Sequence, residues 1–300
     1  MKASKKHGIL LAMLAAALYA INLPFSKILL SYVPSTLMAG LLYLGAGLGM
    51  TLIAIMRNVS HKSGQEAHLT KAELPYTIAM ITLDIAAPIF LLFGLNMTSA
   101  ANASLLNNFE IVATAVIALA IFKEKISTRL WLGIIFVTAS CMLLSFEDTS
   151  SFQFNTGSLF ILLATVCWGI ENNCTRKLSS KDPLQIVLLK GIFSGTGSLI
   201  IGIISGERLS FLWAIPLVLM LGFIAFGMSI YTYVYAQRLL GAARTSAYYA
   251  VAPFIGAFLS LLIFHEMPGI MFISALLLMG IGAWLSSQDK PLKEVFLKHK

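Results

Sequence analysis

Charge is what this chain has least of: 11% of its 300 residues are Asp, Glu, Lys or Arg, against about a quarter in a soluble domain. With 58% hydrophobic residues and a mean hydropathy of +0.85, a soluble core of this length could not hide the apolar surface. Cysteine is also scarce. Cys141, Cys167 and Cys174 lie inside apolar stretches with no flanking ligand set, so they read as small packing residues rather than redox or metal groups. The five histidines, His7, His61, His68, His265 and His299, are scattered near segment ends and form no ligand cluster. Neither a metal nor a cofactor is expected. No phosphate-binding loop occurs, which argues against direct ATP drive. There is no HExxH, no GxSxG and no histidine in the middle of an apolar run, which argues against an enzyme embedded in a membrane.

What is there instead is a series of long apolar runs. A spanning helix needs about 20 apolar residues, and these runs are continuous, without the alternation of a membrane barrel. The reading is an all-α membrane protein with ten transmembrane helices near 8–31, 36–56, 74–95, 99–121, 128–146, 156–177, 184–205, 212–236, 243–264 and 268–287. The lipid bilayer is therefore a partner. The first run has features of a signal peptide, Lys2, Lys5 and Lys6 before Gly8–Ala20 and an Ala15-Ala16-Ala17 step. Cleavage there would leave the first half of an internal repeat incomplete.

The net charge of +8 does not signal a nucleic-acid partner, because the basic residues sit in short segments between apolar runs, where they set orientation. Threading ten spans from a cytoplasmic N-terminus puts Lys2, Lys5, Lys6, Arg57, Lys62, Lys71, Lys123, Lys125, Arg129, Arg176, Lys177, Lys181, Arg238, Arg244, Lys290, Lys293, Lys298 and Lys300 on the cytoplasmic side, and Arg208 alone opposite. Both termini are expected in the cytoplasm. Asn58-Val59-Ser60, a glycosylation pattern, falls on the wrong side for that modification.

The chain also repeats itself. An offset of 149 lays Tyr19-Ala20-Ile21 over Trp168-Gly169-Ile170 and Pro34 over Pro183; an offset of 142 lays Ser104 over Ser246 and Phe122-Lys123-Glu124 over Phe264-His265-Glu266. The longer polar loop around Val59–Thr70 absorbs the difference. Two repeats, 1–147 and 148–300, each hold five spans. An odd number forces them into opposite orientations, an architecture that places a binding site near the midplane between repeats.

These features resemble the EamA-type branch of the drug/metabolite transporter superfamily: two five-span halves, an Ala-rich opening span with Tyr19 and Asn22 through Lys27, and stretches Ala103–Ser127 and Thr245–Gly269 that close on Glu124 and Glu266. Family members carry a Glu-Pro step in the fourth helix. Here Glu110 is followed by Ile111, while in the second half Pro253 follows Ala252, so the family's helix-kink mechanics do not transfer directly. The resemblance implies a secondary transporter that exports or exchanges small polar metabolites, such as amino acids or their derivatives, by alternating access through a central cavity. It also implies a bacterial inner membrane. A passive facilitator or channel-like pore is the alternative, although a channel would prefer a ring of repeated polar groups and this polar set differs between the halves. A homodimer stays open.

Ionisable residues inside spans cost about 2.5–3.5 kcal/mol each on insertion scales, so they face a cavity or a partner. Lys27, Asp84, Glu110, Glu171 and Lys190 qualify. Glu110 is the leading candidate. It follows Asn107-Asn108, so three polar side chains share a turn, and a carboxyl withdrawn from water can bind a substrate amine or exchange a coupling proton. Glu171 aligns with Asn22 and continues into Asn172-Asn173. Trp168, three residues before Glu171, shares its helix face and could help hold an ammonium group. A structural Glu171–Lys190 ion pair is the plainer reading. Asp84 stands alone, four residues before Pro88. Lys27 is expected to snorkel outward. Tyr231, Tyr233, Tyr235, Tyr248 and Tyr249 are candidates for cavity walls or an interfacial belt, with Tyr249 carried forward as a substrate contact. The glycines of Gly45–Gly49 and Gly202–Gly206 are expected to allow close helix packing.

Overall fold

The computed structural model describes residues 2–59, 67–122, 128–148, 153–178, 181–240 and 248–287. Glu124, Ser246 and the basic residues at 62, 123, 125, 244 and 290–300 lie outside them. Among the described residues, the regular structure is helical apart from an antiparallel ribbon of Phe146–Asp148 with Gln153–Phe154. The sequence reading had no strand there.

The first apolar run is two helices end to end, α1 (Lys2–Ala20) and α2 (Asn22–Leu29). Pro24 explains the break, since it has no N–H to offer the Ala20 carbonyl. α3 (Ser35–Val59) and α4 (Leu74–Met97) follow. α4 stays continuous through Pro88, which leaves the Asp84 carbonyl without its helical donor. α5 (Ala100–Leu106) and α6 (Phe109–Phe122) are separated at Asn107–Asn108, where tight bonds such as Asn108 N to Leu105 O (3.0 Å) replace the helical pattern. Asn competes with the backbone for hydrogen bonds, which favours such a break. α7 (Thr128–Leu144) ends the first half.

In the second half α8 (Thr156–Leu178) is followed by α9 (Pro183–Leu189) and α10 (Gly195–Ile204), joined through a π-helical turn at Lys190–Ser194. A second π-helical segment, Phe223–Met228, joins α11 (Ala214–Gly222) to α12 (Ser229–Leu240). α13 (Ala252–Phe264) ends on His265 in the left-handed conformation, and α14 (Ile270–Ser287) closes the described chain.

Among the described residues, six helical segments are long and apolar enough to cross a membrane: Lys6–Leu29, Ser35–Met56, Lys71–Met97, Ala100–Ile121, Pro183–Ile204 and Ala214–Ala236. Three shorter apolar helices, Thr128–Leu144, Ala252–Phe264 and Ile270–Ser286, accompany them. α8 is long enough at 23 residues; its Glu171-Asn172-Asn173 patch lowers its hydropathy. The bundle has the polarity of a membrane protein. Leu52, Ile55, Ile135, Ile203, Leu277 and Trp284 face outward, while Asn22, Asp84, Asn108, Glu171 and Lys190 are buried. Such an apolar exterior is stable against lipid, and buried hydroxyls help tie the helices together: Ser140 donates to Ala275 O (2.6 Å) and Ser229 to Ala15 O (2.9 Å).

α3 is the central strut, packed against α10, α11 and both π-helical segments. Glycine makes this approach feasible. A Cβ on Gly45 would sit 2.0 Å from Leu219 O, one on Gly222 1.9 Å from Leu42 O, and one on Gly191 2.3 Å from Gly47 N. The second glycine stretch divides its duties. Gly202 packs on Leu37, but Gly206 (φ 81°) has open space around it and serves as a turn. Its N–H bonds Ile203 O and that of Glu207 bonds Gly202 O, each at 3.0 Å, which closes α10 in a Schellman arrangement. That turn delivers the Glu207 carboxylate to the N–H groups of Thr36 (3.2 Å) and Leu37 (2.8 Å) at the start of α3.

Candidate functional site

Asp84 does not stand alone. Lys190, presented by the π-helical turn, places its ammonium 3.1 Å from Asp84 Oδ2 and 2.8 Å from Glu171 Oε1. All three are buried, Asp84 completely. The expected Glu171–Lys190 pair is therefore present as part of a larger cluster. Tyr43 on α3 donates to Asp84 Oδ1 at 2.9 Å, and Thr175 donates to Glu171 Oε1. π-helical turns recur at functional sites because the widened register re-aims a side chain; here the turn begins on Lys190.

Glu110 lies at the N-terminal turn of α6, facing α8. Asn172 donates to Glu110 Oε1 at 2.6 Å and approaches Thr114 Oγ1 at 3.4 Å. Asn173 donates to Gly169 O (2.8 Å) and Thr114 O (3.2 Å). The helices come this close because residue 169 is glycine, where a Cβ would sit 2.7 Å from Ala113 Cβ. Glu110 is within electrostatic reach of both Glu171 and Lys190, so one polar layer contains three carboxyls and one ammonium. Trp168 is buried one turn before Glu171, beside the Tyr43 hydroxyl.

The asparagines at the helix breaks sit close by. Asn107 lies against Tyr19, and Asn22 accepts from Ser26 Oγ at 3.0 Å. Buried Asn22 Nδ2, Asn107 Oδ1 and Asn108 Nδ2 have no hydrogen-bond partner among the described residues. Donors and acceptors left in this state suit a polar ligand or water. Tyr249 packs tilted against Tyr19 (5.9 Å between ring centroids) and edge-on against Tyr233 (4.9 Å), and Phe226 links Tyr19 to Tyr43. Tyr231 and Tyr235 pair with each other instead (4.9 Å).

Lys27 does not snorkel freely. Its ammonium donates to Leu95 O (2.5 Å), Asn96 O (3.3 Å) and Thr98 O (2.8 Å), occupying carbonyls at the C-terminus of α4, where a cation is favoured. It lines a cavity of about 480 Å³ with Asn96, Asn102, Asn155 and Glu266. That cavity begins at Asn96, about 18 Å along α4 from Asp84 at 1.5 Å per residue, and does not include the charged cluster. Tyr43 and Thr114 were missed in the sequence because each sits in an apolar run where its type is ordinary, and Thr175 because it follows the more conspicuous Glu171-Asn172-Asn173.

A polar, charged layer enclosed by an outwardly apolar helical bundle is the arrangement of a membrane carrier. Residues 6–146 and 155–288 match the EamA-like transporter family, and the chain belongs to that family. It is a multi-pass membrane protein and a transporter rather than an enzyme. A protein of Methanothermobacter thermautotrophicus named as an uncharacterized transporter is 26% identical over 275 residues, 86% of this chain and 79% of its own. The uncharacterized transporter YyaM of Bacillus subtilis is 24% identical over 177 residues, 56% of this chain and 58% of its own. A solved crystal structure with 18% identity superposes with a TM-score of 0.67, covering 93% of this chain and 96% of that one; it speaks for the fold alone.

Proposed function

We propose that this chain is a secondary transporter that exports or exchanges small polar metabolites, such as amino acids or their derivatives, by alternating access. The observation that carries the reading is the polar layer of buried Asp84, Glu171 and Lys190 with half-buried Glu110 and Asn172, drawn from both halves of the chain. Glu110 receives the substrate's ammonium group or a coupling proton, with Asn172, Asn22, Asn107 and Asn108 as polar contacts and Trp168 and Tyr249 as walls. The chain crosses the membrane ten times, with both termini in the cytoplasm of a bacterial cell, as two inverted five-helix repeats, 1–147 and 148–300.

Mirrored contacts support the repeat. Gly169 against Thr114 has as its counterpart Gly256 against Ala20 at the two offsets. The Glu171–Thr175 bond has Asn22–Ser26. The loop after α10 meets the start of α3 through Glu207, and the loop after α3 meets the start of α9 through Asp182 N to Ala67 O (2.9 Å).

Proteoliposomes offered amino acids, amines and other small metabolites, with and without a pH gradient, test the function. Saturable, gradient-dependent accumulation of one compound, reduced at least about tenfold (about 1.4 kcal/mol) in Glu110→Gln, is the expected result. Uptake that only equilibrates would make the protein a facilitator, and transport indifferent to Glu110→Gln would remove that residue from the mechanism.

A further inference from the structure

We infer that the solutes of this chain are organic cations: small amines, or amino-acid derivatives whose carboxyl is esterified or amidated, rather than free amino acids. The class rests on the transporter reading and narrows it. A carboxylate drawn into a membrane interior needs a cation or unused N–H groups to replace its hydration. Of the ionisable residues inside spans, two are cations, and both are engaged. Lys190 lies between Asp84 (3.1 Å) and Glu171 (2.8 Å). Lys27 donates to three carbonyls, with Glu266 within electrostatic reach. The N-termini of interrupted helices are the other receivers of anionic groups in carriers, and here they are taken. Glu110 stands in the first turn of α6, and the N–H groups of Glu110 and Ile111 bond Asn107 O (3.1 Å) and Asn108 O (3.0 Å). α13 opens with Pro253, which has no N–H, and the N–H groups of Phe254 and Ile255 both bond Val251 O at 3.1 Å. Among the described residues, the places that would receive a solute carboxylate already hold carboxylates or carbonyls of the protein itself.

A cation meets the opposite surroundings. Glu110 is half-buried, held by Asn172 at 2.6 Å, and within electrostatic reach of Tyr19 and Tyr249. Those rings belong to an aromatic row, Tyr233, Tyr249, Tyr19, Phe226 and Tyr43, whose successive centroids are 4.9, 5.9, 6.0 and 5.1 Å apart. A carboxylate beside aromatic rings takes an ammonium group by charge on one side and by the ring quadrupole on the other. Ser104 Oγ and Asn107 Oδ1, buried and without a partner among the described residues, are acceptors for its N–H groups. The amide donors left over, Asn22 Nδ2 and Asn108 Nδ2, suit an ester or amide carbonyl or a hydroxyl, because an uncharged donor does not neutralise a carboxylate.

Equilibrium binding to the full-length protein in lipid nanodiscs tests the class without any flux. The probes are matched sets that differ only at the carboxyl: tyrosine, histidine, leucine and lysine, their methyl esters, and the amines tyramine, histamine, isoamylamine and cadaverine. At least one amine should bind saturably and at least about tenfold (about 1.4 kcal/mol) more tightly than its parent amino acid. The methyl ester of that amino acid should bind with the amine rather than with the parent. In Glu110→Gln, checked for folding by size exclusion, the affinity for that amine should fall at least about tenfold. The matched sets need no variant, so they decide the class even if Glu110→Gln does not fold. An amino acid that binds as tightly as its amine overturns the class, as does a panel in which no amine binds, or amine affinity unchanged in folded Glu110→Gln. A preference for free amino acids would leave the transporter reading standing, whereas tight amine binding with no uptake in proteoliposomes would support the class of ligand and remove the transporter reading.

Discussion

The two proposed repeats share several packing contacts at the offsets of 142 and 149 and differ in the charge they bury. At the offsets of 142 and 149, the counterparts of Asp84, Lys190 and Glu171 are Phe226, Leu41 and Asn22. One side of the bundle holds a buried ammonium between two carboxylates. The other holds Phe226 packed against Tyr19 and Tyr43, with Asn22 bonded to Ser26. Glu110 likewise answers to Ala252. What the halves have in common, close glycine contacts and small hydroxyls, is the machinery of helix packing. What they do not share is charge. On the proposed transport reading, duplicated packing serves two opposite arrangements of the bundle, and a single charged cluster orients the ligand.

The sharpest way to break this comparison is to remove the cation. Lys190→Met leaves buried carboxylates unpaired and should cost about 3–5 kcal/mol in detergent-resolved unfolding, whereas Leu41→Met at the neutral counterpart should cost under about 1.5 kcal/mol. Equal costs would mean that the lysine is only a space filler.

The glycine seam should be the part where the halves behave alike. Gly45→Ala and Gly222→Ala each drive a Cβ into a backbone carbonyl, for an expected loss of about 1–3 kcal/mol. Gly280→Ala, with nothing within 4 Å, should be neutral or stabilising by about 0.5–1 kcal/mol. A thermal-shift series on the three variants decides this, and the seam argument fails if Gly280→Ala is the most damaging.

Helix starts offer a finer contrast. α3 is capped from afar by Glu207, whereas α9 is capped by its own Asp182, which accepts from Leu184 N at 3.0 Å. Glu207→Ala and Asp182→Ala should each cost about 0.5–2 kcal/mol. Hydrogen exchange should localise the loss to the first turn of α3 in one and of α9 in the other. Smallest of all, Lys27→Met should cost about 0.3–1 kcal/mol through the end of α4, with solute uptake retained. Abolished uptake would assign the cavity at that end a direct part in transport.

Much of this was legible in the residues. Low charge and continuous apolar runs specify a helical membrane protein, because only lipid accepts such a surface. Pro24 and Asn107-Asn108 mark helix breaks through missing or competing backbone donors. Glu110, Asp84, Glu171 and Lys190 stand out because a charge inside an apolar run needs a reason. Their grouping was not legible. Asp84 read as solitary because its partner lies on a helix more than a hundred positions away, and nothing local encodes that distance. Tyr43 is separated from Asp84 by another helix boundary, and Thr175 is an ordinary helix hydroxyl until its bond to Glu171 one turn earlier is seen; Lys27 misled because its acceptors are backbone carbonyls, which have no sequence signature.

The sequence by itself therefore determined the solvent this chain folds in, its helices, and the list of side chains that had to find polar company. The tertiary structure alone decided who met whom. Close packing along the glycines of α3 brings the π-helical turn and Lys190 up to α4 and α8, where the ammonium lies between Asp84 and Glu171 and Tyr43 donates to Asp84. Composition sets the cost of burying a charge, but only contact geometry sets which neighbour relieves it.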